Sequence, residues 1–193
     1  MDTFPRRPYR HSNLPNALRA ASRAILDEDG PDSVGLREAA RRVGVSATAA
    51  YRHFTNKEDL LASVAAEGFR ELAASMETAA TGADPLNAIG LAYVEFALQK
   101  RGLFRLMFGP ILVERAKYPG LNEAAQQAFD VLQRVGGLGE RPREENPAAM
   151  AAWGLVHGLS GLFIDGLVPE ARARGLAEET LAYVGTPHRR PAA

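Results

Sequence analysis

Apolar residues in this chain recur at the spacing of an α-helix, and almost no stretch alternates in the manner of a β-strand. Leu14, Leu18 and Ile25 form one such stripe, which ends at Gly30-Pro31. Further stripes follow along the chain, and each is bounded by glycine, proline or a residue that caps helices. The pattern predicts an all-α protein of about nine helices.

Helix starts and breaks are marked by short local motifs. Thr55-Asn56-Lys57-Glu58 predicts a capping box, in which Thr55 and Glu58 satisfy each other's free amides, at the start of a long helix. Asp84-Pro85 and Asn146-Pro147 each place an N-cap residue before a proline, which is favoured at the first helical position. Gly109-Pro110 predicts a break.

The composition excludes several classes of chemistry. The chain has no cysteine, which rules out disulfides, thiolate metal sites and cysteine nucleophiles. Its four histidines are scattered without ligand spacing, and no phosphate-binding loop or nucleophile motif is present. We therefore predict no catalytic residue, no metal site and no cofactor. The first residues lack the apolar segment of a secretory signal, so we expect a cytoplasmic protein.

Basic residues are concentrated near the N-terminus although the whole chain is neutral, with 23 basic and 23 acidic residues. Between Ser33 and Lys57, five basic residues stand against one acid. A solvated helix face would have the same count, so the charge gains meaning only from the motif within this stretch.

Residues 36–54 have the layout of a helix-turn-helix. Two short helices meet at Val43-Gly44-Val45-Ser46, where the glycine supplies the positive φ of a tight turn and Ser46 can cap the second helix. A recognition helix with a small tip, Ala47-Thr48-Ala49, can enter a DNA major groove without collision.

The same residues carry a resemblance to a known family. The segment 36–46, followed by Tyr51-Arg52-His53-Phe54 and residues 56–61, resembles the DNA-binding domain of TetR-family transcriptional regulators. Residues 84–185, with Trp153, His157 and Gly158 in one helix, resemble a TetR ligand-binding domain. The resemblance implies a DNA-binding domain over 1–56, a ligand-binding and dimerisation domain over 57–185, and a flexible tail over 186–193.

The resemblance also assigns the DNA contacts. It implies that Tyr51, His53 and Lys57 bind phosphates and that Arg37 reaches a base, while Arg52 reads a base or touches phosphate. The full predicted set is Arg37, Ser46, Ala47, Thr48, Tyr51, Arg52, His53 and Lys57. The basic residues at 6, 7 and 10 either lie in a neighbouring minor groove or belong to a disordered tail.

In the C-terminal part the family carries an inducer pocket. Its predicted wall consists of Tyr93, Phe96, Phe104, Met107, Phe108, Ile111, Met150, Trp153 and His157. Such side chains at helical spacing more often belong to a plain core, and that alternative stays open for each of them. If they form a pocket, they favour an apolar or aromatic ligand.

Residues 146–164 contain no formal charge and include Gly154-x-x-x-Gly158. A transmembrane helix is one interpretation. The interpretation we favour is a buried helix that presents small residues to a close partner helix, with Gly154, Gly158, Gly161 and Leu162 at the interface of a homodimer. We therefore expect a dimeric repressor, with a palindromic DNA operator and a small-molecule effector as partners and no membrane. The alternative is a helical protein-interaction module that keeps the fold without binding DNA specifically.

Overall fold

The computed structural model describes residues 13–81, 83–139, 141–142 and 145–185. The predicted N-terminal arm and the tail over 186–193 lie outside them. Over the described residues the chain is all-α, as predicted. Its ten α-helices are α1 Leu14–Asp29, α2 Leu36–Val43, α3 Ala47–Tyr51, α4 Lys57–Ala79, α5 Pro85–Gln99, α6 Arg101–Met107, α7 Pro110–Val113, α8 Pro119–Val135, α9 Pro147–Ile164 and α10 Glu170–Gly185.

Helices α1 to α3 form a small head. Leu18 and Ile25 of α1 are fully buried, and Ala39 of α2 and Ala50 of α3 are buried beside them. Two helices can approach closely where their facing side chains are alanines, so the short α2 and α3 pack tightly on α1.

The long helix α4 joins this head to the rest of the molecule, which we call the body. Glu67 of α4 pairs with Arg19 of α1, and Glu71 pairs with Arg23 one turn further along. Further along α4, Leu72 and Met76 are buried in the same continuous core as the body helices. The predicted boundary between residues 56 and 57 falls at the first residue of this shared helix.

One local prediction needs correction. The N-cap of α4 is Asn56 rather than Thr55: its side-chain oxygen accepts a hydrogen bond from the Asp59 amide at 2.8 Å. The Asp59 carboxylate accepts one from the Thr55 amide at 2.8 Å, so Thr55 contributes its backbone and not its side chain. The predicted break at Gly109-Pro110 is present, and Pro110 also starts the single turn α7, whose residues are all outside the buried core.

Within the body, α4 and α6 approach closely where Gly68 faces Met107. A Cβ atom added to Gly68 would lie 3.0 Å from the Met107 Cγ and 3.1 Å from a Leu103 methyl. Glycine at this position therefore allows the fully buried Met107 to pack directly against the α4 backbone.

Helix α9 is less buried than predicted. It is the one helix in the described part of the chain that is long and apolar enough to cross a membrane, and 33% of it is buried. Val156, Leu159 and Phe163 pack into the core, whereas Gly154, Gly158 and Gly161 have no atom of another helix within 4 Å of a built Cβ. The expected close helix partner is thus not supplied by the described part of this chain.

Candidate nucleic-acid interface and effector cavity

The turn between α2 and α3 has the predicted geometry. Gly44 adopts a left-handed conformation with φ of 78°, and the next amide, that of Val45, donates back to the Ala40 carbonyl at 3.0 Å. This pair of features closes a helix C-terminus. Ser46 caps α3, since its hydroxyl oxygen accepts from the Ala49 amide at 3.2 Å. The sequence therefore fixes the direction of α3 locally.

Several side chains on and after α3 face solvent, whereas Ala50 and Phe54 are buried. Tyr51 is 49% exposed although it is a large aromatic residue, and Arg52 and His53 beside it are exposed as well. Arg37 at the start of α2 and Thr48 on α3 are also exposed. This small domain therefore exposes a phenol, an imidazole and two guanidiniums. These groups can donate hydrogen bonds to phosphates and to base edges.

The basic residues of the head fall into two groups. Arg41 and Arg42 both hydrogen bond to Glu38, at 2.6 and 3.2 Å, and these bonds lower the pKa of Glu38 to about 2. Arg37 and Arg52, in contrast, have no carboxylate of a described residue within ion-pair distance. The local positive charge that is free to attract a polyanion therefore resides on the second group.

Lys57 lies at the N-terminus of α4, where the helix dipole favours anions. Its ammonium donates one hydrogen bond, to the Asp32 carbonyl at 3.0 Å. An ammonium has three donors, so two remain for another acceptor. The bond to Asp32 ties the start of α4 to the turn that follows α1.

A narrow cavity lies inside the body between α4, α5, α8 and α9. The space open to the centre of a water molecule is about 40 Å³, enough for a few waters and far below the volume of a site for a drug-sized ligand. The cavity is therefore too small in this conformation for such a ligand. Its wall consists of Phe69, Leu72, Met76, Tyr93, Phe108, Leu112, Arg115, Ala125, Gln126, Ala128, Phe129, Leu132 and Trp153.

Three polar side chains beside the cavity satisfy one another. The Trp153 indole N–H donates to the Tyr93 oxygen at 3.3 Å, and that oxygen lies 3.0 Å from the His157 Nδ1. The indole N–H, the Tyr93 hydroxyl and Nδ1 all have partners when Tyr93 donates to Nδ1, which leaves the imidazole neutral. Burial lowers the pKa of His157 and so favours this neutral form.

Two family models match the sequence and together cover most of it. Residues 86–183 match the tetracyclin repressor-like C-terminal domain, and residues 18–64 match the bacterial regulatory proteins of the tetR family. The chain belongs to the TetR family. It is therefore a DNA-binding transcriptional regulator and not an enzyme, as predicted, and this membership favours a regulator over an interaction module that does not bind DNA.

Solved structures share the fold over nearly the whole chain. A protein of unknown function from Rhodococcus sp. RHA1 is 28% identical, with 93% of this chain and 98% of that chain covered and a TM-score of 0.72. The TetR-family regulator PfmR from Thermus thermophilus is 18% identical over 90% and 99%, with a TM-score of 0.64. A TetR/AcrR-family regulator from Thermobifida fusca is 19% identical over 93% and 100%, with a TM-score of 0.63. No match was found among curated proteins.

For this TetR-family chain, three of the nine predicted effector residues line the cavity: Tyr93, Phe108 and Trp153. Two others pack directly behind this wall. The Phe104 ring lies 4.7 Å from Phe108, and the His157 ring lies 4.6 Å from it. These two residues support the wall from outside the cavity.

The remaining four predicted effector residues lie elsewhere. Phe96 is buried below the Lys100 ammonium, 5.4 Å from its ring centre, and Met107 is buried against α4. Ile111 faces a groove between α7 and the head, and Met150 is 44% exposed on α9. Helical spacing places a residue on a face but does not say which neighbouring helix that face meets.

Sequence reasoning missed the contribution of α4 and of the segment after α7. Phe69, Leu72 and Met76 of α4 recur at helical spacing and form one side of the cavity. Their spacing was visible, but it is also that of any core-facing helix. Arg115 and Gln126 gave no local signal, because only the packing of α8 and of the turn before it brings them to the cavity.

The predicted dimer residues share an exposed face of α9. Gly154 and Gly158 are exposed, Leu162 is 44% exposed, and Gly161 is partly exposed beside them. This apolar stripe has no charged residue between Pro147 and Ile164. Burying such a stripe against another surface is favourable in water.

Proposed function

We propose that this TetR-family regulator is a cytoplasmic repressor that binds a palindromic operator as a homodimer and leaves it when a small, largely apolar effector occupies the body. The observation that carries the proposal is the arrangement of α4. Its first residue, Lys57, lies at the candidate DNA surface, and Phe69, Leu72 and Met76 of the same helix line the cavity.

For DNA binding, we assign α3 to the major groove. Arg37 and Thr48 read base edges, and Tyr51, His53 and Lys57 hold the flanking phosphates, with Ser46 and Ala47 at the tip and Arg52 on a base or a phosphate. The exposure of these side chains and the absence of a described carboxylate beside Arg37 and Arg52 support this assignment.

For dimerisation, we assign the exposed face of α9 to contact with α9 and α10 of a second copy. Glycine in a helix interior is unfavourable by roughly 0.5–1 kcal/mol relative to alanine, so three glycines on one exposed face need compensation. Close approach of a partner helix provides it. A dimer interface also explains why α9 is uncharged, and no membrane is needed to account for it.

For switching, an effector that needs a wider cavity must move its walls. The cavity is too small for such a ligand in this conformation, and α4 is one wall, so ligand entry displaces α4 and with it the head. Ligand and operator then weaken each other's binding by the same factor, by roughly 1–3 kcal/mol in typical cases.

Footprinting on the DNA upstream of the protein's own gene tests the operator proposal. We expect two protected half-sites in major grooves about 34–36 Å apart or a multiple of it. A single protected half-site, or protection without symmetry, contradicts a dimer on a palindrome.

Filling the cavity tests the switch. Ala125 lies half-buried at the cavity wall, so Ala125→Phe should occupy the space with little disturbance of the core. We expect this variant either to release DNA without effector or to lose its response. Thr78→Phe, on an exposed part of α4, is the control. Normal operator binding and normal release by Ala125→Phe would contradict this cavity as the effector site.

A further inference from the structure

The polarity of the cavity wall is uneven. Its inner side consists of buried apolar groups, among them Phe69, Leu72 and Phe129. The two polar groups on that side, the Tyr93 hydroxyl and the Trp153 indole, are hydrogen bonded to each other. The inner side therefore favours an apolar group of a ligand.

The outer side differs, because Arg115 and Gln126 lie there next to the half-buried Leu112. Arg115 is itself half-buried, and its guanidinium makes one long hydrogen bond, from Nη1 to the Leu112 carbonyl at 3.4 Å. Its neighbour Glu114 is bound to Lys117 at 2.9 Å. No carboxylate of a described residue lies within ion-pair distance of Arg115.

Several other arginines of the body have such partners, although the exposed Arg70 and Arg172, like Arg115, pair with no described carboxylate. Arg105 pairs with Asp165 at 2.9 Å, Arg134 with Glu77 at 2.9 Å, and Arg174 with Glu95 at 3.0 Å. A guanidinium carries five donors in a planar fork that matches a carboxylate bidentately. A half-buried arginine at the rim of an apolar cavity, without a carboxylate from its own chain, has the chemistry to bind one from a ligand.

We propose that the effector is a small amphipathic carboxylate. Its apolar chain or ring lies against the inner wall, and its carboxylate pairs with Arg115. This inference rests on the effector role proposed above and adds the chemical class of the ligand. A neutral ligand of the same shape leaves Arg115 without an anionic partner, and a cationic ligand is repelled by it.

The probe for binding is Trp153, the chain's single tryptophan, which lies in the cavity wall. Full-length protein is titrated with octanoate and phenylacetate, and with octanamide and phenylacetamide as neutral analogues of the same shape. We expect a change in Trp153 fluorescence, with each carboxylate binding at least about tenfold more tightly than its amide.

Three variants locate the charge that is responsible. Arg115→Gln should abolish the preference for the carboxylates, and Arg115→Lys should retain part of it because the charge remains. Arg70→Gln removes an exposed arginine of α4 outside the cavity and should leave the preference unchanged. Circular dichroism of each variant checks that the fold is intact.

The proposal is overturned if the amides bind as tightly as the carboxylates, if no carboxylate binds, or if the preference survives in Arg115→Gln. Operator release, measured by fluorescence anisotropy of labelled DNA, is a separate readout. Carboxylates that bind through Arg115 without releasing DNA would support the ligand class and contradict the effector role. Operator release by the amides alone would support the effector role and contradict the proposed ligand class.

Discussion

The head and the body leave opposite kinds of surface without a partner in the described chain. On the head, Arg37 and Arg52 are exposed cations that no described carboxylate neutralises. On the body, Gly154 and Gly158 lie in an exposed apolar stripe. A charged surface is well solvated and binds its partner reversibly and in a salt-dependent way, whereas an apolar stripe favours lasting burial. This difference supports the two proposals made above, a transient polyanionic partner for the head and a permanent one for the body.

The largest expected effect comes from blocking the apolar stripe. Gly158→Leu places a bulky side chain where a built Cβ meets open space, so the monomer should fold while a close partner helix is excluded. We expect loss of the dimer by light scattering. Because two linked half-sites gain affinity from being bound together, operator affinity should fall by about a hundredfold or more.

Gly158→Ala is the matched control for that experiment. It adds one methyl group and should keep both the dimer and the operator affinity. A Gly158→Leu protein that remains dimeric at nanomolar concentration would place this face outside the interface.

The next effect separates the two groups of arginines in the head. Arg37→Ala should weaken operator binding by roughly 1–3 kcal/mol, mostly at one base position, because an arginine can bind guanine bidentately. Arg41→Ala, on the same helix but paired with Glu38, should change the affinity little. Binding is measured by gel shift on the operator and on its single-base variants. Equal loss on every sequence would make Arg37 a phosphate contact.

A smaller effect concerns Lys57. Removing its ammonium in Lys57→Ala should weaken binding to all DNA sequences and lower the salt dependence of log K by roughly one unit, since one counterion fewer is released. Binding curves at several salt concentrations give the slope. An unchanged slope would mean that the hydrogen bond to the Asp32 carbonyl is the main role of Lys57.

The smallest expected effect is a pH dependence in the body. Burial lowers the pKa of His157 below its unfolded value, about 6.5, so the unfolded chain binds more protons than the folded one as the pH falls through that value. His157 therefore costs no stability above pH about 6.5 and destabilises the fold below it. In His157→Gln the amide oxygen can still accept a hydrogen bond from Tyr93. Urea unfolding should therefore show that the free energy of unfolding falls less towards pH about 5 in this variant than in the parent protein. Parallel pH profiles would contradict this.

The head was predictable because its shape depends on neighbouring residues. The positive φ of Gly44 and the Ser46 cap each follow from a few consecutive residues, and both are confirmed. The cap of α4 was missed by one residue because Thr55 and Asn56 are both good capping residues, and local sequence alone does not choose between them.

The body was less predictable because its cavity depends on contacts between distant residues. Tyr93 and Trp153 were identified as wall residues, but Met107 packs against Gly68 instead. That contact joins helices far apart in sequence, and helical spacing cannot specify it. For the same reason no sequence motif indicated Arg115, although the inferred ligand class depends on this residue.

The ion pairs between α1 and α4 have a consequence for engineering chimeric regulators. Glu71 of α4 is bound by Arg23 of α1 and by Lys100 after α5. Burial opposes the ionisation of Glu71, but the hydrogen bonds from these two cations lower its pKa overall. A head grafted from another regulator at the turn before α4 would bring its own first helix. Such a hybrid keeps the ion pairs between head and α4 only if that helix carries cations at the positions of Arg19 and Arg23. Two residues outside the candidate DNA surface and the cavity wall are therefore one criterion for choosing the donor of a biosensor.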